Sequence, residues 1–105
     1  MKDMKLSDLI KNIKPLSFVG DTEKDITGVE IDSRKIKSGN LFAAIKGTQA
    51  DGHKFIPKAI ELGATAILCE EIPETRVEGV TYVQVASTET AVGTVATTYY
   101  GQPSN

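Results

Sequence analysis

Val29-Glu-Ile-Asp-Ser-Arg-Lys-Ile-Lys-Ser-Gly-Asn-Leu-Phe-Ala-Ala-Ile-Lys-Gly-Thr-Gln-Ala-Asp-Gly-His53 is the segment whose reading decides the fold. It begins as an apolar strand ending in the polar triplet Asp32-Ser33-Arg34. Lys37-Ser38-Gly39-Asn40 then reads as a turn, because Gly and Asn tolerate the positive φ that reversals need. Leu41 to Ile45 is continuously apolar, the pattern of a strand covered on both faces. A Gly-containing polar loop from Lys46 to Gly52 follows. Both strands thus end in loops carrying hydrogen-bonding groups, where rigid scaffolds tend to place binding functions.

Outward from this segment the pattern is strand and helix in alternation. Upstream, Leu6 to Ile13 is predicted as a short amphipathic helix capped by Ser7 and stopped at Lys14-Pro15. Ser17 to Val19 is predicted as an edge strand. Ile26 to Ile31 alternates, with Ile26, Gly28 and Glu30 opposite Thr27, Val29 and Ile31, as in a strand with one buried face. Downstream, His53 to Leu62 forms a helix with Phe55, Ile56, Ala59 and Ile60 on its apolar stripe and Gly63 at its end.

Thr65 to Cys69 and Tyr82 to Val85 are two further strands, separated by an acidic surface loop from Glu70 to Gly79. Thr88 to Tyr100 is a helix with Ala91, Val92, Val95, Ala96, Tyr99 and Tyr100 on one stripe. Gly93 within it is expected to mark a close helix–sheet contact. Strand–helix alternation implies parallel pairing with right-handed crossovers. The expected fold is a small three-layer α/β domain, its mostly parallel or mixed sheet flanked by helices.

The totals agree with one domain. The 105 residues are 40% apolar and 25% charged, with net charge −2, an ordinary globular composition. No apolar run is long enough to span a bilayer. No charged-then-apolar leader opens the chain. One cysteine and one histidine leave no internal disulfide and argue against a structural zinc site. A cytoplasmic location is expected.

Charge is unevenly spread. Arg34, Lys35, Lys37, Lys46, Lys54 and Lys58 face only Asp51 between positions 34 and 58, while acids dominate elsewhere. This concentration suits an anionic ligand or, equally, a solvated face. A nucleic-acid surface would be more basic overall and carry interleaved aromatics. Phe42 and Phe55 are expected in the core, so neither nucleic acid nor membrane is an expected partner.

Asp32-Ser33-Arg34 admits two readings. Ser33 and Arg34 can face a phosphate, or Asp32 caps a turn and Arg34 pairs with it. Gly47 to His53 is either an anion loop before a helix N-terminus or a plain helix entry. His53 has no visible nucleophile or orienting group, so no catalytic residue is assigned. Cys69 reads as a small buried hydrophobe. The acidic loop lacks the ligand spacing of a calcium site, and no metal ligand is assigned. No G-x-x-x-x-G-K-[ST] phosphate loop occurs.

The run Asp32-Ser33-Arg34, Gly39-Asn40-Leu41-Phe42-Ala43-Ala44-Ile45-Lys46-Gly47, Asp51-Gly52-His53-Lys54-Phe55-Ile56, Ala59-Ile60 and Gly63-Ala64 resembles the N-terminal domain of the Mur ligases. The resemblance extends from Leu6-Ser7-Asp8-Leu9 to Tyr99-Tyr100-Gly101-Gln102-Pro103-Ser104. Gln49-Ala50-Asp51-Gly52-His53 and the Tyr-x-x-Pro-Ser ending look more like the MurE type. That ligase joins meso-diaminopimelate or L-lysine to UDP-N-acetylmuramoyl-L-Ala-D-Glu in peptidoglycan synthesis.

The resemblance implies that residues 1–100 hold the UDP part of the substrate. Ser33 matches the serine that contacts uridine diphosphate and Ile31 a neighbouring contact. Thr48, Gln49 and Ala50 match the loop that wraps the nucleotide, with Thr48 standing where some relatives carry histidine. Arg34 fits the motif in a supporting role. In the family a Gly-Thr-Asn-Gly-Lys-Thr loop soon follows Pro-Ser, so residues 101–105 are expected to start a linker to an ATP-binding domain.

The family reaction phosphorylates the D-Glu carboxylate, and the incoming amine attacks the acyl phosphate. ATP and Mg2+ are implied for the full-length enzyme, with central and C-terminal domains of the same chain as partners. No cofactor is implied for these residues, which are expected to be inactive alone. Two alternatives stand beside this reading: the equivalent domain of the D-Ala-D-Ala-adding Mur ligase, and a non-enzymatic domain docking through its basic face.

Overall fold

A computed structural model describes residues 4–45, 52–74 and 76–101. In chain order the elements are β1 (Met4–Lys5), α1 (Leu6–Ile10), β2 (Ser17–Val19), β3 (Asp25–Ile26), β4 (Gly28–Glu30), β5 (Asn40–Ala43), α2 (Ile56–Leu62), β6 (Ala66–Cys69), β7 (Thr81–Gln84) and α3 (Thr88–Tyr100). Short 3-10 turns cover Ser33–Lys35 and Gly52–Phe55. The main sheet has five strands in the order β2-β7-β6-β5-β4. β4, β5, β6 and β7 run parallel, and β2 closes one edge antiparallel to β7. β1 and β3 form a separate antiparallel pair. The expected three-layer α/β arrangement with a mixed, mostly parallel sheet is present.

β5 explains the layers. Its side chains alternate, so Leu41 and Ala43 enter the core beneath α1 and α3, together with Leu6, Leu9, Val95 and Tyr99. Phe42 and the following Ala44 enter the opposite core with Ile56 and Ala59 of α2. All four of these strand-segment residues are buried, which is why the run has no polar face. β6 repeats the division, with Ala66 and Leu68 on one side and Ile67 and Cys69 on the other.

Four local features differ from the sequence pattern. α1 stops at Ile10 rather than Ile13, and Ser7 does not cap it; Lys5 occupies that place without a side-chain bond. Its first-turn N–H groups are met by backbone instead, Leu6 N–H donating to Lys24 O (2.9 Å) and Ser7 N–H to Thr22 O (2.8 Å). A backbone acceptor makes a capping hydroxyl unnecessary.

The predicted strand from Ile26 to Ile31 is two strands broken at Thr27. Ile26 and Val29 consequently face the same core, and Ile31 is 59% exposed. The break is fixed by Thr27, whose N–H donates to Gly39 O (3.0 Å) and whose hydroxyl donates to Ser38 O (2.8 Å). Gly39 itself takes φ +87° in the predicted turn.

The helix expected from His53 begins as a 3-10 turn, and only Ile56–Leu62 is α-helical. Phe55 precedes the helical stripe and is 40% exposed, whereas Ile56 and Ala59 are buried. Gly93 touches no neighbouring group and faces solvent, contrary to the expected close contact. At the end of α3, Tyr100 is exposed, yet its hydroxyl donates to Val29 O (3.2 Å) and accepts from Val29 N–H (3.1 Å). It thereby occupies polar groups on the free edge of β4, which would otherwise be open to another strand. Beyond Gly101, the expected linker lies outside the described residues.

Two glycines should therefore respond oppositely to alanine. Gly93→Ala should stabilise the chain by roughly 1 kcal/mol through helix propensity alone. Gly63→Ala should destabilise it, because Gly63 sits at φ +124° and an added Cβ would lie 2.7 Å from Ser38 Cα. Urea-unfolding midpoints of the two variants against the parent check both signs.

Candidate functional site

β4 ends at Glu30, and the chain then makes a tight turn held by one carboxylate. Asp32 Oδ1 accepts from Arg34 N–H (2.9 Å) and from Arg34 Nε (3.1 Å), and Oδ2 accepts from Arg34 Nη2 (3.0 Å). Behind the turn, buried Ile36 anchors it to the α2-side core. The guanidinium holds the Asp32 carboxyl down to about 2, with the Arg34 backbone N–H adding to the effect. Asp32 in turn raises the Arg34 pKa. The geometry is therefore that of the capped turn with its arginine paired, although the Arg34 side chain remains 86% exposed against 28% for Asp32.

Ser33 is placed differently. It is only 7% exposed. Ile31, Asp32, Ser33, Arg34 and Phe55 together line an open depression of about 490 Å³. It lies past the carboxyl end of β4, the end of an open parallel sheet where ligands characteristically bind.

Thr48, Gln49 and Ala50 lie outside the described residues. The flanks of their loop are nonetheless joined, since Gly52 N–H donates to Ile45 O (2.8 Å). Phe55, just beyond Gly52, reaches the same depression as Ser33. The structure thus brings Ile31, Ser33 and Arg34 together and adds Phe55, a residue that its apolar pattern had assigned to the core. An exposed aromatic at a helix entry was hidden by that pattern, because the 3-10 turn shifts Phe55 off the helical stripe.

His53 has a structural employment. Its Nε2 accepts from Glu70 N–H (3.0 Å) and Glu71 N–H (3.3 Å), fastening the loop after β6 to the entrance of α2. Glu70 also accepts through Oε2 from Thr88 N–H (3.1 Å) at the start of α3. A carboxylate at a helix N-terminus is stabilising there. Its backbone carbonyl accepts from Gln84 Nε2 (3.1 Å). The first residue of the acidic loop is therefore a helix cap and not merely a solubilising charge. Sequence spacing gave no hint of it, since Glu70 and Thr88 are far apart in the chain.

Cys69 is buried, as expected, and burial pushes its thiol up to about 12. Among the described residues no group of three or more His, Cys, Asp or Glu side chains is arranged to hold a metal ion. No described helix is long and apolar enough to cross a membrane.

These features define a class: an α/β domain with a strand-end depression suited to a small ligand bearing hydrogen-bonding groups. Comparison with known proteins makes the class specific. The family model described as "Mur ligase family, catalytic domain" matches residues 25–100. The UDP-N-acetylmuramoyl-L-alanyl-D-glutamate–2,6-diaminopimelate ligase of Bacteroides fragilis is 57% identical over 102 residues, covering 97% of this chain and 21% of that protein. The ligase of the same name from Bacteroides thetaiotaomicron is 56% identical over the same shares of both chains. A crystal structure of MurF from Acinetobacter baumannii superposes with TM-score 0.82 at 21% identity, covering 99% of this chain and 22% of that one; at that identity the likeness concerns the fold.

The chain belongs to the Mur ligase family, and the two Bacteroides relatives are diaminopimelate-adding ligases. It spans about a fifth of their length, 21% in each case.

Two properties of the site can be measured without a ligand. The folded-state pKa of Asp32 lies below the ordinary carboxylate value, so the turn's contribution to stability is fully present above about pH 4. It is lost as pH falls through about 2. Carboxyl 13C shifts should titrate near that value in the parent and move up toward the ordinary range in Arg34→Ala. His53→Ala should cost about 1 kcal/mol by removing the acceptor of one part-buried and one exposed N–H. Amide hydrogen exchange at Glu70 and Glu71 should accelerate with it; unchanged exchange would exclude the latch.

Proposed function

We propose that this chain is the UDP-substrate-binding domain of an ATP-dependent amide ligase. Its reaction adds the third peptide residue to UDP-N-acetylmuramoyl-L-Ala-D-Glu during peptidoglycan synthesis in the cytoplasm. The observation that carries this reading is Ser33, 7% exposed, on the wall of a strand-end depression in a chain 57% identical to a ligase named for that substrate. In this reading residues 1–100 form the binding domain and residues 101–105 begin the connection to an ATP-binding domain.

Ser33 hydrogen-bonds the nucleotide and Ile31 packs beside it. Thr48, Gln49 and Ala50 wrap it from the adjoining loop. Arg34, already paired with Asp32, contributes direction to the turn and a cationic surface nearby rather than a free counter-ion. ATP and Mg2+ would be held by the central domain. The residues here do not fit them, since the sequence has no phosphate loop and the described residues hold no carboxylate cluster. What this domain supplies to the chemistry is position: fixing the distant nucleotide restricts where the D-Glu carboxylate can lie.

Titration of the chain with uridine diphosphate checks the reading. Backbone NMR signals of Ser33 and of Thr48, Gln49 and Ala50 should move as a set, and Ser33→Ala should weaken the response. Signals that stay fixed up to millimolar nucleotide would reject binding by this domain.

A further inference from the structure

The Tyr-x-x-Pro-Ser segment begins at Tyr100, and that residue does more than end a helix. Tyr100 is 58% exposed, so burial does not account for where its hydroxyl lies. The hydroxyl sits against both main-chain polar groups of Val29, accepting from the N–H (3.1 Å) and donating to the carbonyl (3.2 Å). β4 is the last strand of the main sheet and pairs only with β5. Where an interior strand has a second neighbour, β4 has one tyrosine hydroxyl. A hydroxyl can do this because it carries a donor and acceptor sites at one atom.

The ring is held so that the hydroxyl is aimed. It packs edge-to-face on Tyr99, with centroids 4.7 Å apart and planes at 83°. Tyr99 belongs to the core beneath α1 and α3, as does the side chain of Val29 itself. Immediately beyond, Gly101 N–H donates to Thr97 O (2.7 Å) and closes the helix. Tyr100 thus joins the last turn of α3 to the outer edge of β4. Val29 stands just ahead of Ile31, where the wall of the strand-end depression begins. Blunting a sheet edge needs no more than a bulky or charged side chain. A two-way bond to a single residue is more specific than that, because it fixes the position of the strand along the helix.

We propose that Tyr100 is a positioning residue, coupling the exit of α3 to the Asp32-Ser33-Arg34 turn by standing in for the missing strand beside β4. Tyr100 is not on the wall of the depression, so its effect reaches the turn through β4. The functional side of this coupling rests on the proposed UDP-binding role. In that role the residues after Tyr100 lead toward an ATP-binding domain, and a shift of that connection is felt at the nucleotide turn. Two exposed-edge hydrogen bonds suit such a device, since they hold a short strand yet can open without unfolding either core.

Tyr100→Phe keeps the ring on Tyr99 and removes only the hydroxyl, and the 105-residue chain can be followed by NMR without ligand. Loss of its acceptor should accelerate hydrogen exchange at the Val29 amide about tenfold. That factor should exceed the one at Leu41 and Ile67 in the interior strands, which report any change in global stability. Amide signals of Ile31 to Arg34 should shift with it. In the same variant, affinity for uridine diphosphate should fall on the order of threefold, an effect of the size packed elements transmit.

Equal acceleration at Val29, Leu41 and Ile67 would make the hydroxyl a contributor to general stability and overturn the coupling. A faster Val29 with Ile31 to Arg34 unmoved would leave a guarded sheet edge and overturn it as well. Should uridine diphosphate bind parent and variant equally, the coupling fails while the UDP-binding reading stands. Should the nucleotide bind neither, the UDP-binding reading fails, and the ligand-free signals decide the coupling by themselves.

Discussion

Burial of β5 on both faces is the constraint from which the rest follows. Leu41 and Ala43 must meet apolar partners on one side of the sheet, and Phe42 and Ala44 on the other. A single covering layer would leave half of them in water, at about 1.5–3 kcal/mol for each large side chain. α1 and α3 meet one demand and α2 the other. Parallel pairing of β5 with β4 and β6 then brings the ends of successive strands to one side of the sheet. The Asp32-Ser33-Arg34 turn follows β4 at that side, and Phe55 reaches the same depression from the entrance of α2.

A second tier of polar contacts ties these loops to the scaffold. His53 joins the entrance of α2 to Glu70 and Glu71, and Glu70 joins the same point to the first turn of α3. The helix that covers one core and the helix that covers the other thus share a hub at the carboxyl ends of the strands. Two of these bonds, at Glu70 and Thr88, satisfy part-buried backbone N–H groups.

Where sequence reasoning succeeded, one physical signal dominated. The uninterrupted apolar run at β5, the edge strand at Ser17 and the limits of α3 were legible because hydrophobic periodicity and breakers agreed there. It failed where a tertiary contact replaced a local one. Ser7 loses its cap role to the carbonyls of Thr22 and Lys24. The alternation through Thr27 breaks because that residue bonds the Ser38–Gly39 turn. In the site, the pairing of Asp32 with Arg34 was one of two open readings, and local chemistry could state it but not choose it. Ser33's burial and Phe55's exposure depend on packing against distant residues, which spacing along the chain does not encode.

The electrostatic reading changes in consequence. The basic residues between positions 34 and 58 suggested a site governed by charge, yet the most suitable anion fork among them is bound to Asp32 at both carboxylate oxygens. Releasing that fork to a phosphate would mean giving up two charge-assisted bonds to gain two others, so Arg34 adds little net affinity. In the proposed function, recognition then rests on the other walls of the depression. Those are Ser33 and the exposed apolar surface of Ile31 and Phe55.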